Sequence, residues 1–180
     1  MFLIYQIFIL LVIFLSPIVI IIRLLKNKEH KTRFIEKFCF FKKRKNKGCL
    51  VWFHAASVGE LMSIIPLIYE VEKNKKVNNI LVTTSTLSSS KIFNNYKFKK
   101  VIHQFFPIDF FYLTSKFVKY WKPNLAIFID SEIWPSMFKE LKRNNIPLIL
   151  MNARITPKSY KRWNFFNKFS KNIFQNIDIA

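Results

Sequence analysis

The hydrophobic positions along the chain fall into two regimes. Residues 2–22 form an apolar run of 21, interrupted only by Tyr5, Gln6, Ser16 and Pro17. A bilayer-spanning helix needs about 20 such residues, so one transmembrane helix is expected here. Further on, five short β-branched runs recur, at residues 49–54, 80–84, 101–105, 125–129 and 147–151. They are almost continuously apolar rather than alternating, which is the pattern of strands covered on both faces. Apolar residues at helical spacing lie between them. Leu61, Ile64, Ile65, Ile68 and Val71 share one face, as do Phe110, Leu113, Phe117 and Trp121, and Trp134, Met137, Phe138 and Leu141. Asp109 reads as an N-cap for the second of these helices, and Pro135 suits the first turn of the third. Pro66 implies that the first helix begins near Ser63 or kinks there. Strands alternating with helices at this spacing predict βαβ units, hence an α/β fold with a Rossmann-like parallel sheet preceded by one transmembrane helix.

Charge orients this picture. The chain carries 30 Lys+Arg against 10 Asp+Glu, a formal net charge of +20. Such a field favours anionic partners, although a composition this rich in Lys, Asn, Ile and Phe is also what an AT-rich genome yields. No cation precedes the apolar run, whereas residues 23–47 hold eleven Lys/Arg and two acids. A cleaved signal peptide has the opposite order. The positive-inside rule therefore places the remainder of the chain on the cytoplasmic side of the membrane, with the basic segment against anionic headgroups. The expected organisation is an anchor at 2–22, a basic juxtamembrane linker at 23–47 and a Rossmann-like domain at 48–180. Residues 158–174 add a basic, aromatic amphipathic stretch, and the final residues NIDIA read as the start of a further strand.

Several chemistries lack their residues. Cys39 and Cys49 have no metal-ligand spacing and read as free thiols, and His30, His54 and His103 are scattered. Two glycines, Gly48 and Gly59, cannot build a glycine-rich nucleotide loop. Most aromatics fall on core-like faces rather than among exposed lysines, so no nucleic-acid partner is expected.

In open α/β sheets ligands bind at the carboxyl ends of the strands. Four predicted strand ends carry unusual polar residues: His54, Ser57, Gly59 and Glu60; Thr83, Thr84, Ser85 and Thr86; Asp130, Ser131 and Glu132; Asn152 and Arg154. Each has a plainer reading. Ser57 with Glu60 three residues on makes a capping box. Asp130 or Ser131 would cap the helix near Trp134, Arg154 would pair with an acid, and His54 would be a core histidine.

The segments WFHAASVGE, ILVTTST, FPIDF, IDSEIWPSMF and IPLILMNARIT resemble, in order and spacing, the N-terminal half of the 3-deoxy-D-manno-octulosonic acid (Kdo) transferases. The resemblance implies the N-terminal domain of a GT-B glycosyltransferase of lipopolysaccharide biosynthesis at the cell inner membrane. It implies transfer of Kdo from CMP-Kdo to the lipid A precursor, lipid IVA, with inversion and without a cofactor or metal ion. This domain would bind the acceptor, and the donor domain would be absent or carried on a separate chain. On the matching positions Glu60 would be the general base and Asp130, where the family has Glu, the transition-state stabiliser. Ser57, Gly59, Thr84, Glu132 and Arg154 would contact the acceptor. The alternative is a non-catalytic, membrane-anchored module that binds anionic lipid, from a truncated or split gene.

Overall fold

The computed structural model describes residues 2–42, 47–130 and 132–180. Five parallel strands, β1 (Leu50–His54), β2 (Asn79–Thr84), β3 (Val101–Phe105), β4 (Leu125–Ile129) and β5 (Leu148–Met151), form one sheet in the order β3-β2-β1-β4-β5. This is a doubly wound, Rossmann-like α/β fold, and each strand lies within one residue of its expected bounds. Successive side chains point to opposite faces. Leu50 and Trp52 of β1 therefore join the core under α4 (Phe111–Trp121) and α5 (Pro135–Arg143). Val51 and Phe53 join the one under α2 (Val58–Lys73). Both faces are covered, which is why the runs are continuously apolar. The C-terminal segment reaches the open edge of β5, where Ile179 bridges Ile149 in parallel.

Four expectations are corrected. First, α2 starts at Val58 rather than near Ser63 and continues past Pro66. Its packing of Leu61, Ile64, Ile65 and Ile68 holds it where local propensity would not. Second, Asp109 does not cap α4, whose N-cap residue is Phe110 without a side-chain bond. Asp109 instead accepts the amides of Ser136 and Met137 at 2.9 and 2.8 Å, capping α5 from a neighbouring loop. Third, the basic linker at 23–47 is itself partly folded and bonded to the sheet. Glu36, in a 3-10 turn at Arg33–Phe38, accepts the Phe105 amide at 3.0 Å and pairs with Arg33 at 2.7 Å. Glu29 pairs with Arg23 and Lys37. Glu36 thus ties this segment to β3, while Glu29 ties the segment to itself; residues 43–46 lie outside the described residues. Fourth, the amphipathic stretch is two helices, α6 (Pro157–Phe165) and α7 (Asn167–Phe174). Trp163, Phe169 and Ile173 pack on the core while Tyr160 and Phe166 are exposed. A short helix, α3 (Leu87–Phe93), had not been expected; Thr86 caps it by accepting the Ser89 amide at 3.1 Å.

Helix α1 (Phe2–Leu25) is long and apolar enough to cross a membrane, by length and composition. Pro17 has no N–H to give the Ile13 carbonyl, and the Ser16 hydroxyl donates to that carbonyl at 2.6 Å instead. No bilayer water is needed to satisfy it. Cys39 and Cys49 are free thiols.

Candidate functional site

The strand order reverses between β1 and β4, and the crevice at such a switch point is where open α/β sheets bind ligands. Two of the decorated strand ends meet there. At the end of β1, Ser57 is the N-cap of α2 and its hydroxyl accepts the Glu60 amide at 3.3 Å. One Glu60 carboxylate oxygen accepts the Ser57 hydroxyl at 2.7 Å, and the other accepts the Ala56 amide at 2.8 Å. The cap is therefore real, except that the Glu60 side chain reaches back to the Ala56 amide rather than to that of Ser57. It also does something a catalytic group requires, since it fixes one rotamer of a half-exposed carboxylate at the crevice. Gly59 has an ordinary helical backbone, and a Cβ there would meet open space. The turn does not need this glycine, which leaves the first turn of α2 bare.

Beyond β4, Glu132 faces the same crevice. Burial raises its pKa above the ordinary carboxylate value, and the nearby negative charge of Glu60 raises it further; the Trp134 indole acts in the opposite sense, and Asp130 adds a smaller upward push. Asp130 itself sits in the left-handed region at φ 56° and accepts the Asn152 amide group. Asn152, also left-handed at φ 57°, accepts from Arg154 at 3.4 Å. Short polar side chains tolerate that conformation best, which accounts for Asp and Asn at these two strand ends. Asp130, Asn152 and Arg154 thus form one polar relay across the ends of β4 and β5. Glu132, more than Asp130, is coupled to Glu60. Ser131 lies outside the described residues.

The Thr tract does not join this cluster as expected. Thr84 is buried and its hydroxyl is bonded to His103 Nε2 at 2.9 Å. As the last residue of β2 it is turned inward, and β3 beside it supplies the partner that holds its hydroxyl. His54 is a core histidine, as its plainer reading had it. Its Nδ1 is bonded to Thr83 Oγ1 at 2.9 Å and its ring stacks on Phe106 at 4.0 Å. Burial depresses its pKa to about 3, so it stays neutral. It props Trp134, 6.0 Å away edge-on, from beneath. That floor under the site, Thr83–His54–Phe106–Trp134, was missed in the sequence because its members come from four separate segments. Among the described residues no three His, Cys, Asp or Glu side chains converge as metal ligands.

The fold is that of a glycosyltransferase domain, a doubly wound α/β sheet with a fixed carboxylate and a second acid at its switch point. The chain belongs to the 3-deoxy-D-manno-octulosonic-acid transferase (Kdo transferase) family, whose sequence model matches residues 32–180. It is 40% identical over 164 residues to a 3-deoxy-D-manno-octulosonic acid transferase of Rickettsia bellii, covering 89% of this chain and 39% of that protein. It is 39% identical over 141 residues to a probable mitochondrial 3-deoxy-D-manno-octulosonic acid transferase of Arabidopsis thaliana (78% of this chain, 32% of that one). To the Haemophilus influenzae enzyme of the same name it is 28% identical over 142 residues (77% and 33%). The family read from five sequence motifs is borne out. The chain spans between 32% and 39% of the length of these three relatives.

Proposed function

We propose that this domain is the acceptor-binding half of an inverting glycosyltransferase that moves Kdo from CMP-Kdo to lipid IVA, at the cytoplasmic face of the inner membrane. In a GT-B arrangement the donor would face the rim of the sheet from a second domain. A primary hydroxyl of the acceptor attacks the anomeric carbon of Kdo and forms the new C–O bond. The bond to the CMP phosphate breaks, and CMP leaves with its electron pair. Glu60 takes the hydroxyl proton. Glu132 and the Asp130–Asn152–Arg154 relay line the acceptor side, Arg154 offering its guanidinium to phosphate. The observation that carries this reading is Glu60, held in one rotamer at the switch point and close enough to Glu132 for its charge to be felt there.

The test is a complete transferase whose N-terminal half is this chain, supplied with CMP-Kdo and lipid IVA. A Kdo-lipid product seen by mass spectrometry is expected. Acceptor binding without product would favour a lipid-binding module. Gly59→Ala gives a second check. Adding a methyl to a helical glycine with free space is expected to leave stability unchanged or raise it by about 0.5–1 kcal/mol. If the acceptor crosses the bare first turn of α2, the same change raises KM for the acceptor several-fold. An unchanged KM would move the acceptor off that turn.

A further inference from the structure

The anchor helix poses a geometric problem for a single-pass topology. A helix of 24 residues is about 36 Å long and would carry its first turn to the far side of a bilayer. Yet the first turns of α1 are bonded to the domain. Tyr5 donates its hydroxyl to Asp109 at 2.7 Å. Gln6 donates to the Ser136 hydroxyl at 2.7 Å, and its carbonyl accepts the Phe111 amide at 3.0 Å. That amide is the first of α4, whose own N-cap residue gives no side-chain bond. Gln6 therefore completes a helix end more than a hundred residues away in sequence.

The contact is not confined to one end. The residues of α1 that are not exposed lie at positions 2, 5, 6, 9, 13, 16, 20, 23 and 24. Steps of three and four mark a single stripe along one side of the helix, from its first turn to its last. Ile13, midway, packs against the core beneath α4 and α5. At the far end Arg23 pairs with Glu29 and, with Lys28, lines a cavity of about 280 Å³ shared with Thr86 and Lys91. The outer side is bare hydrocarbon: Leu3, Phe8, Phe14, Ile18 and Leu25 are all more than half exposed.

Cations flank both ends. Lys139 stands 4.3 Å over the Phe2 ring, and Lys168 lines a cavity with Phe2; Arg23, Lys26 and Lys28 close the other end. A spanning helix sorts its cations to the cytoplasmic end, whereas a helix lying at the interface meets headgroups at both. The polar face that an interfacial helix normally shows to water is here turned to the domain.

We propose that α1 does not cross the bilayer but lies in its plane, docked lengthwise on the domain with its outer face in the hydrocarbon of one leaflet. Both ends of the helix are then on the side of the domain, and the carboxyl rim of the sheet, near Thr86 and Ser136, is held against the membrane surface. The proposal rests on the membrane-anchor reading and refines it. The test places an epitope ahead of residue 1 of the full chain and applies protease to sealed membrane vesicles of each orientation. The expected result is complete loss of the epitope only where the protease also reaches the domain, with the chain retained in the membrane after alkaline carbonate washing. Loss of the epitope from the face opposite the domain would overturn the in-plane arrangement and leave a membrane anchor standing. A chain that is never membrane-bound would overturn both.

Discussion

Glu60→Gln, made in a complete transferase carrying this domain, is expected to lower transfer by about 10²–10⁴-fold, the usual contribution of a positioned base. The substitution separates the two roles of this residue. Glutamine can still accept the Ala56 amide through Oε1 and donate Nε2 to the Ser57 hydroxyl, so the bonding that starts α2 is kept with one bond reversed in direction. Stability is then expected to stay within about 0.5 kcal/mol of the parent, the range of substitutions that break no packing or cap. Glu60→Ala should lose the same activity and, in addition, about 1 kcal/mol of stability with the cap. Turnover near that of the parent for the Gln variant would reduce Glu60 to its capping role.

Asp109→Ala carries the largest expected loss of stability. Its carboxylate accepts the Ser136 and Met137 amides and the Tyr5 hydroxyl, and it is almost wholly buried. Removing it strands three donors, each costing about 1–3 kcal/mol when left unpaired in the interior. Desolvation of the carboxylate offsets part of this, so a net loss of about 3 kcal/mol is expected. Burial pushes the Asp109 pKa up from 3.8 to about 6, against the pull of its donors. The folded chain thus holds this proton more tightly than the unfolded one. The corresponding stabilisation is complete below about pH 3.8 and fades as pH rises through about 6. The gap between parent and variant should therefore be wider at pH 4 than at pH 8 in thermal unfolding. A gap that grows with pH would mean that Asp109 is held ionised by α5. A gap below about 1 kcal/mol at every pH would mean that water replaces the lost acceptor.

The legibility of the fold differed from that of the site for a physical reason. Strands β1 to β5 are short, apolar and bounded by polar turns, and α2, α4 and α5 show a helical stripe each. These signals are local, and the parallel doubly wound order follows from their alternation. The capping box was equally local, since Ser57 and Glu60 are three residues apart. What went astray concerned residues whose partners are distant. Asp109 looked like the cap of the helix just after it, because sequence shows only neighbours; its true partners are 27 and 28 residues on. Thr84 looked available because a hydroxyl at a strand end usually is, and only the packing of β3 beside it reveals His103 as its partner. Glu29 and Glu36 looked like a trace of acid in a basic linker, but Glu36 bonds the linker to the Phe105 amide and Glu29 gathers Arg23 and Lys37 within it.

The sequence by itself determined the class of fold, the family and the long apolar N-terminal helix, and it singled out Glu60 as the acid to test. These rest on periodicity, on composition and on residues close along the chain. Only the tertiary structure decided that Glu132 is the acid that answers Glu60 and that Asp130 belongs to a relay with Asn152 and Arg154. It alone brought Tyr5 and Gln6 onto Asp109 and Ser136, more than a hundred residues away. Hydropathy counts how many residues can sit in hydrocarbon, but not which side of a helix is already occupied. That second fact, a partly covered stripe running the length of α1, is a property of packing and has no local trace.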